Sequence, residues 1–233
     1  KAGTRGKADH GWLKSYHTFS FSNYFNPERI QFGALRVLND DQVSGGMGFG
    51  EHPHKNMEII SIALEGELQH EDSMGNVAVI KPGEIQVMSA GTGIYHKEFN
   101  NDRSNAVKFL QIWVIPNEED VTPRYDQIQI ENAEKRNQLI QILSPSPEDE
   151  GVWIHQDAWF HLGKFDAETT VAYQVKQKGN GVYIFVLKGQ VEINEQQLED
   201  RDGYGIWDTD QFNIKAQPGA EVLLMEVPMA VSS

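Results

Sequence analysis

Apolar runs in this chain are short, and nearly every one ends in a glycine or aspartate turn, a cadence that suits antiparallel strands and little else. Gly33-Ala34-Leu35-Arg36-Val37-Leu38 reads as a strand ended by Asn39-Asp40-Asp41, and Met57 to Leu64 as another, turned by Glu65-Gly66. Asp72-Ser73-Met74-Gly75-Asn76 is a turn by composition. Val77-Ala78-Val79-Ile80 and Ile85-Gln86-Val87-Met88 flank Pro82-Gly83, and Val107 to Ile115 is a further strand. Strands of this length joined by such turns indicate an all-β fold of antiparallel sandwiches or barrels. The aromatic-rich stretch from Asp9 to Tyr24 contributes a short alternation at Thr18 to Phe21.

An internal echo divides the chain. Leu64-Glu65-Gly66-Glu67-Leu68 recurs as Leu187-Lys188-Gly189-Gln190-Val191, and Gly83-Glu84-Ile85-Gln86-Val87 as Gly203-Tyr204-Gly205-Ile206-Trp207. Two domains are expected, 1–127 and 128–233, joined by the polar stretch Glu131 to Gln138. Ser144-Pro145-Ser146-Pro147-Glu148-Asp149-Glu150 then reads as a loop inside the second domain.

Two pairs of metal-capable side chains stand out: His52-Pro53-His54 and His96-Lys97-Glu98. Alternate residues of a strand share a face, so each pair points one way. If the two strands lie side by side, three imidazoles and a carboxylate converge, a donor set suited to one divalent transition metal with positions left open. An isolated histidine is more often a hydrogen-bonded interior or turn group, which is the reading for His10 and His17. Two pairs in matching spacing, each beside glycines, are not explained that way. Alignment on the echo sets Val175 and Gln177 opposite His52 and His54, and Ala216 and Pro218 opposite His96 and Glu98. The second domain should therefore lack metal, with His155 and His161 structural.

Charge and composition exclude other classes. Lys and Arg total 20 against 34 Asp and Glu, a net charge of −14 that repels phosphate backbones and anionic lipid. No basic cluster is visible along the chain, so neither nucleic acid nor membrane is an expected partner. The longest apolar run, Val182 to Leu187, is strand-sized, against the ~20 residues of a spanning helix. The absence of cysteine excludes disulfides, thiolate metal sites and cysteine nucleophiles, and fits a cytoplasmic location. A monomer is the simplest expectation for two sandwiches that cover each other.

Gly46, His52, His54 and Glu58 resemble the first motif of the cupin superfamily, and Gly93, His96 and Asn100 approach its second. Gly91 is closer to the expected phase than Gly93, and Ser89 stands where proline is usual. These departures, with Gly11-Trp12-Leu13, His17-Thr18-Phe19-Ser20-Phe21, His52-Pro53-His54 and Met88 to Glu98, resemble the pirin family, and the likeness runs through both halves. It is nearest to bacterial pirin-like proteins assigned as quercetin 2,3-dioxygenases. The resemblance implies a bicupin, two antiparallel jelly-roll barrels, with His52, His54, His96 and Glu98 as metal ligands. It implies that Glu58 is not a ligand, although a regular strand would place Glu58 on the face of His54. Lys97, in place of a common serine, alternates away from the metal, and Pro53 suggests an edge or irregular segment.

The same resemblance implies a dioxygenase that opens a phenolic or flavonol substrate such as quercetin with O2 and releases carbon monoxide. Glu98 would act as the catalytic proton acceptor. Iron is the first expectation for the metal, and manganese, cobalt, nickel, copper or zinc suit the same donors. Metal affinity should fall below a pH of ~6.5, where ordinary imidazoles protonate. Two other readings stay open: a metal-containing regulatory or sensor protein acting through a protein partner, and a different metal-dependent reaction on an enolisable small molecule.

Overall fold

The computed structural model describes residues 1–231. The fold is all-β, two similar two-sheet units back to back. In the first half, seven strands form one sheet in the order Gly6–Asp9, Leu13–His17, Leu35–Val43, Val107–Val114, Glu58–Glu65, Glu84–Ser89 and Arg124–Gln129. Four more, Gly48–His54, Ile94–Asn100, Leu68–Asp72 and Val77–Ile80, form the facing sheet. The second half repeats this plan. Its six-stranded sheet runs Val152–Trp153, Gln138–Ser144, Trp159–Lys164, Glu221–Pro228, Asn180–Lys188 and Gly203–Ile206. Its four-stranded sheet runs Thr169–Gln174, Gln211–Ala216, Val191–Ile193 and Gln196–Leu198. Among the described residues no helix is long and apolar enough to cross a membrane.

The sequence echo has a structural cause. Gly66 and Gly189 each turn one long central strand into the facing sheet, and both adopt positive φ, +75° and +78°, which side chains rarely tolerate. The Ser144 to Glu150 segment is a loop between two strands of the second half. One expected strand is displaced. Leu13–His17, rather than Thr18 to Phe21, enters the sheet, because Leu13, Ser15 and His17 share its buried face.

The two large sheets pack against each other and share the largest core. Ile60, Ile62, Ile85, Val87, Leu110 and Ile112 from the first meet Phe160, Phe185, Leu223 and Met225 from the second. Both faces of these strands are therefore buried, which is why they read as continuous apolar runs. The opposite face of the same strands points into the first barrel. There Ser61 and Gln111, polar residues inside apolar runs, are buried.

That alternation corrects the parity of Glu58. Asn56, at φ +46°, ends regular geometry between Gly48–His54 and Glu58–Glu65, so the two strands do not share a phase. Glu58 lies on the Ile60 and Ile62 face, toward the second half, where its carboxylate accepts from Ser89 Oγ at 2.7 Å. Burial raises its pKa to about 7, against the pull of Ser89 and Arg124. The folded state thus holds this proton at a pH where the unfolded chain has released it. Its stabilising effect is full below the ordinary glutamate value and fades as pH rises through about 7. Glu58→Gln, which mimics the protonated form, should gain stability relative to the natural chain between pH ~5 and ~8 in urea titrations. An unchanged difference across that range would contradict this account.

Candidate metal centre

The strands Gly48–His54 and Ile94–Asn100 pair antiparallel with His52 opposite His96, so the two pairs of metal-capable residues lie on adjacent strands. Gly48–His54 is an edge strand with a register shift between Phe49 and His52, a place where Pro53 costs no ladder hydrogen bond. His96 Nε2 lies 2.9 Å from His52 Nε2 and 3.0 Å from His54 Nε2. His52 Nδ1 lies 2.7 Å from the Gly50 carbonyl, and donating to it leaves the Nε2 lone pair facing the other two rings. Three imidazole nitrogens this close, with lone pairs converging, fit a cation between them.

Glu98 is buried, at 1% exposure, with no cationic side chain within 4.0 Å among the described residues. Its oxygens accept from Gln111 Nε2 at 2.8 Å and Ser61 Oγ at 3.4 Å. A buried carboxylate held only by neutral donors also fits a nearby cation. Glu98 is not drawn into the tight histidine trio. It groups with His96 and His70, all donor atoms within 4.8 Å of one another. Lys97 turns outward and pairs with Glu71 at 2.6 Å.

His70 is the residue that reading along the chain missed. It is fully buried opposite Glu98, its Nε2 2.9 Å from Asp72 Oδ2 and its ring 5.3 Å from that of His96. His70-x-Asp72 has the same alternate spacing as the other pairs, and that was the available signal. Ser61 and Gln111 were equally visible as polar interruptions of apolar strands.

His52, His54 and Glu98 border a cavity of about 280 Å³, just below the ~300–1,000 Å³ common for small-molecule sites. Phe21, Phe49 and Trp113 supply apolar walls, and Trp113 meets His54 edge-on at 5.0 Å. Both N-terminal histidines border it: His17 is interior, and His10, exposed at the rim, lies in the turn between Gly6–Asp9 and Leu13–His17, the two places expected for them. Asp41 also lines the cavity. Burial pushes its carboxyl up to about 7, although Ser15 donates to it.

In the second half the equivalent sheet is filled by Tyr173, Phe212 and Ile214, with Ala216 buried and Val175 packed alongside. Both metal-capable clusters among the described residues lie in the first half. His161 is buried against Tyr173, and His155 packs against Trp153.

Burial, then neighbouring imidazoles, holds His54 and His96 down at about 3. This modifies the expected pH response, because two of the three rings carry no proton to displace at mildly acidic pH. Nickel affinity should therefore fall more shallowly between pH ~7 and ~5 than the average of roughly two orders of magnitude per pH unit that three ordinary imidazoles give. Chelator-competition titrations across that range check this. An average slope of about two would show ordinary imidazoles.

Comparison with known proteins places the geometry in context. Residues 1–114 match the family described as Pirin, and residues 141–227 match the quercetinase C-terminal cupin domain. The chain is 44% identical over 228 residues to quercetin 2,3-dioxygenase of Escherichia coli K12, covering 98% of this chain and 97% of that one. It is 36% identical over 222 residues to a pirin-like protein of Caulobacter vibrioides, covering 95% of each. The crystal structure of the bacterial pirin YhhW of Escherichia coli in complex with nickel(II) superposes with a TM-score of 0.93 at 42% identity, covering 99% of this chain and 98% of that one.

Proposed function

Because this chain belongs to the pirin family of cupins, we propose that it is a metal-dependent dioxygenase that cleaves a flavonol such as quercetin with O2, releasing carbon monoxide. The convergence of His52, His54 and His96 at 2.9–3.0 Å carries this reading. These three, with Glu98, would hold one divalent ion. Iron is our first choice, and the nickel complex of the Escherichia coli pirin supports a metal of this class. When bound, the ion would supply Lewis acidity toward a phenolate and a template for its reaction with dioxygen.

The chain's own groups do the rest. Phe49 and Trp113 offer flat walls to the rings of a flavonol. Glu98 accepts the proton of the 3-hydroxyl, and Gln111, donating at 2.8 Å, keeps the carboxylate aimed into the cavity. Asp41 sits on the same wall, a carboxyl that titrates near neutrality. We also propose a division into two units near the expected 1–127 and 128–233. Arg124–Gln129 pairs throughout with Glu84–Ser89 of the first half, and Gln138–Ser144 is the first strand of the second, which supports moving the seam from 127/128 into residues 130–137.

Oxygen uptake with quercetin, on protein loaded separately with iron, manganese, cobalt, nickel or copper, tests the reading. Uptake is expected with at least one metal, and it should vanish in His54→Ala. Glu98→Gln should slow turnover by about a hundredfold or more, the usual range for a positioned base. Turnover at the natural rate in a metal-loaded Glu98→Gln protein would remove Glu98 from this role. Absence of uptake with every one of these metals would favour a sensor acting through a protein partner.

A further inference from the structure

A second cavity, of about 320 Å³, opens where the N-terminal segment meets the edge strand Gly203–Ile206 of the six-stranded sheet. None of its walls is shared with the histidine cavity. Its character differs from that of the acidic molecule around it.

One side is aromatic. Gly203, Gly205 and Trp207 alternate on one face, and the two glycines leave room for rings against the backbone. A Cβ at Gly205 would lie 2.5 Å from the Phe32 ring, and one at Gly203 would lie 2.2 Å from the Tyr183 hydroxyl. Phe32 packs between Tyr183 and Trp207, with centroids 5.5 and 6.2 Å away. Trp207 is 56% exposed, an indole at the rim with an uncovered face.

The other side is basic. Lys1, Arg5, Arg29 and Arg201 line the cavity with Glu28 the only carboxylate in the wall. Lys1 is taken up by Asp202 at 2.8 Å, and Arg5 and Arg201 share Asp40 at 3.0 and 3.6 Å. One carboxylate between two guanidiniums leaves a positive charge over. Arg29 has no carboxylate partner among the described residues, its Nη1 donating only to the carbonyl and hydroxyl of Thr4. Two buried polar atoms of the lining residues, Arg201 Nη1 and Thr18 Oγ1, have no hydrogen-bond partner. In a chain of net charge −14, unneutralised guanidiniums beside aromatic rings are a local reversal of sign.

We propose that this cavity binds an aromatic carboxylate, with its ring against Phe32 and Trp207 and its carboxylate on Arg29 and Arg201. The rings disfavour a bare inorganic anion, which offers nothing to stack. The Arg29 guanidinium, without a carboxylate partner, and the charge left over between Arg5 and Arg201 disfavour a neutral aromatic, whereas a planar carboxylate matches a guanidinium fork. The site stands whether or not the first cavity opens flavonols.

The test is calorimetric titration of the full chain with 4-hydroxybenzoate, beside 4-hydroxybenzamide and inorganic phosphate. The benzoate should bind, and the amide and phosphate should each be weaker by about tenfold or more, the worth of a charge-assisted contact. Arg29→Gln should weaken the benzoate by about the same factor. Trp207→Ala, at an exposed position, should weaken it independently. His54→Ala should leave it unchanged, and both cavity variants should keep natural nickel affinity. Phosphate binding as tight as the benzoate, undiminished binding in both cavity variants, loss of binding in His54→Ala, or no heat with the benzoate at all would each overturn the proposal.

Discussion

Replacing His96 by alanine is expected to lower nickel affinity by at least about a hundredfold, beyond the 10- to 100-fold that loss of an outer hydrogen-bond partner costs. The reason is position. The strand Ile94–Asn100 lies between Gly48–His54 and Leu68–Asp72, so its inward residues are flanked on both sides. The His96 ring is 4.4 Å from that of His52, 4.8 Å from His54 and 5.3 Å from His70. Its Nε2 is the atom both other imidazoles approach. Removing it takes away the donor that links the His52 and His54 pair to the Glu98 carboxylate, so an ion keeps at most three donors that no longer converge. Chelator competition at neutral pH measures the loss, and a melting curve for the metal-free variant separates it from misfolding. Undiminished nickel affinity in His96→Ala would move the metal elsewhere.

The largest effect on stability is expected from Phe160→Ala, about 3–5 kcal/mol by analogy with other buried aromatic truncations. Phe160 is fully buried in the core that the two large sheets share. Its neighbours in that core come from both halves, so a cavity there loosens each. The two units should therefore unfold together. Calorimetry should give one transition for the natural chain and one, at lower temperature, for the variant. Two separated transitions, with only the later half of the chain affected, would show that each barrel carries its own stability.

Much of the candidate metal centre was legible because strand alternation is local. His52 and His54, and likewise His96 and Glu98, must share a face in any extended backbone, whatever surrounds it. The turns at Gly66 and Gly189 were legible for a similar reason, since positive φ selects glycine. Glu58 was not, because one residue at positive φ, Asn56, reset the phase between adjacent strands. His70 was not, because its place beside Glu98 comes from the pairing of Leu68–Asp72 with Ile94–Asn100. The basic cavity was invisible for the same cause, as Arg5, Arg29 and Arg201 are far apart along the chain.

The amino-acid order by itself determined the strands, the turns, the twofold plan and the residues that pair two by two. These depend on backbone geometry within a few residues. The register between strands, the face each sheet shows the other half, and the charges gathered at the seam belong to the tertiary structure alone. They arise from packing between distant segments, where burial of apolar area selects one arrangement and polar groups are placed by what that choice leaves open.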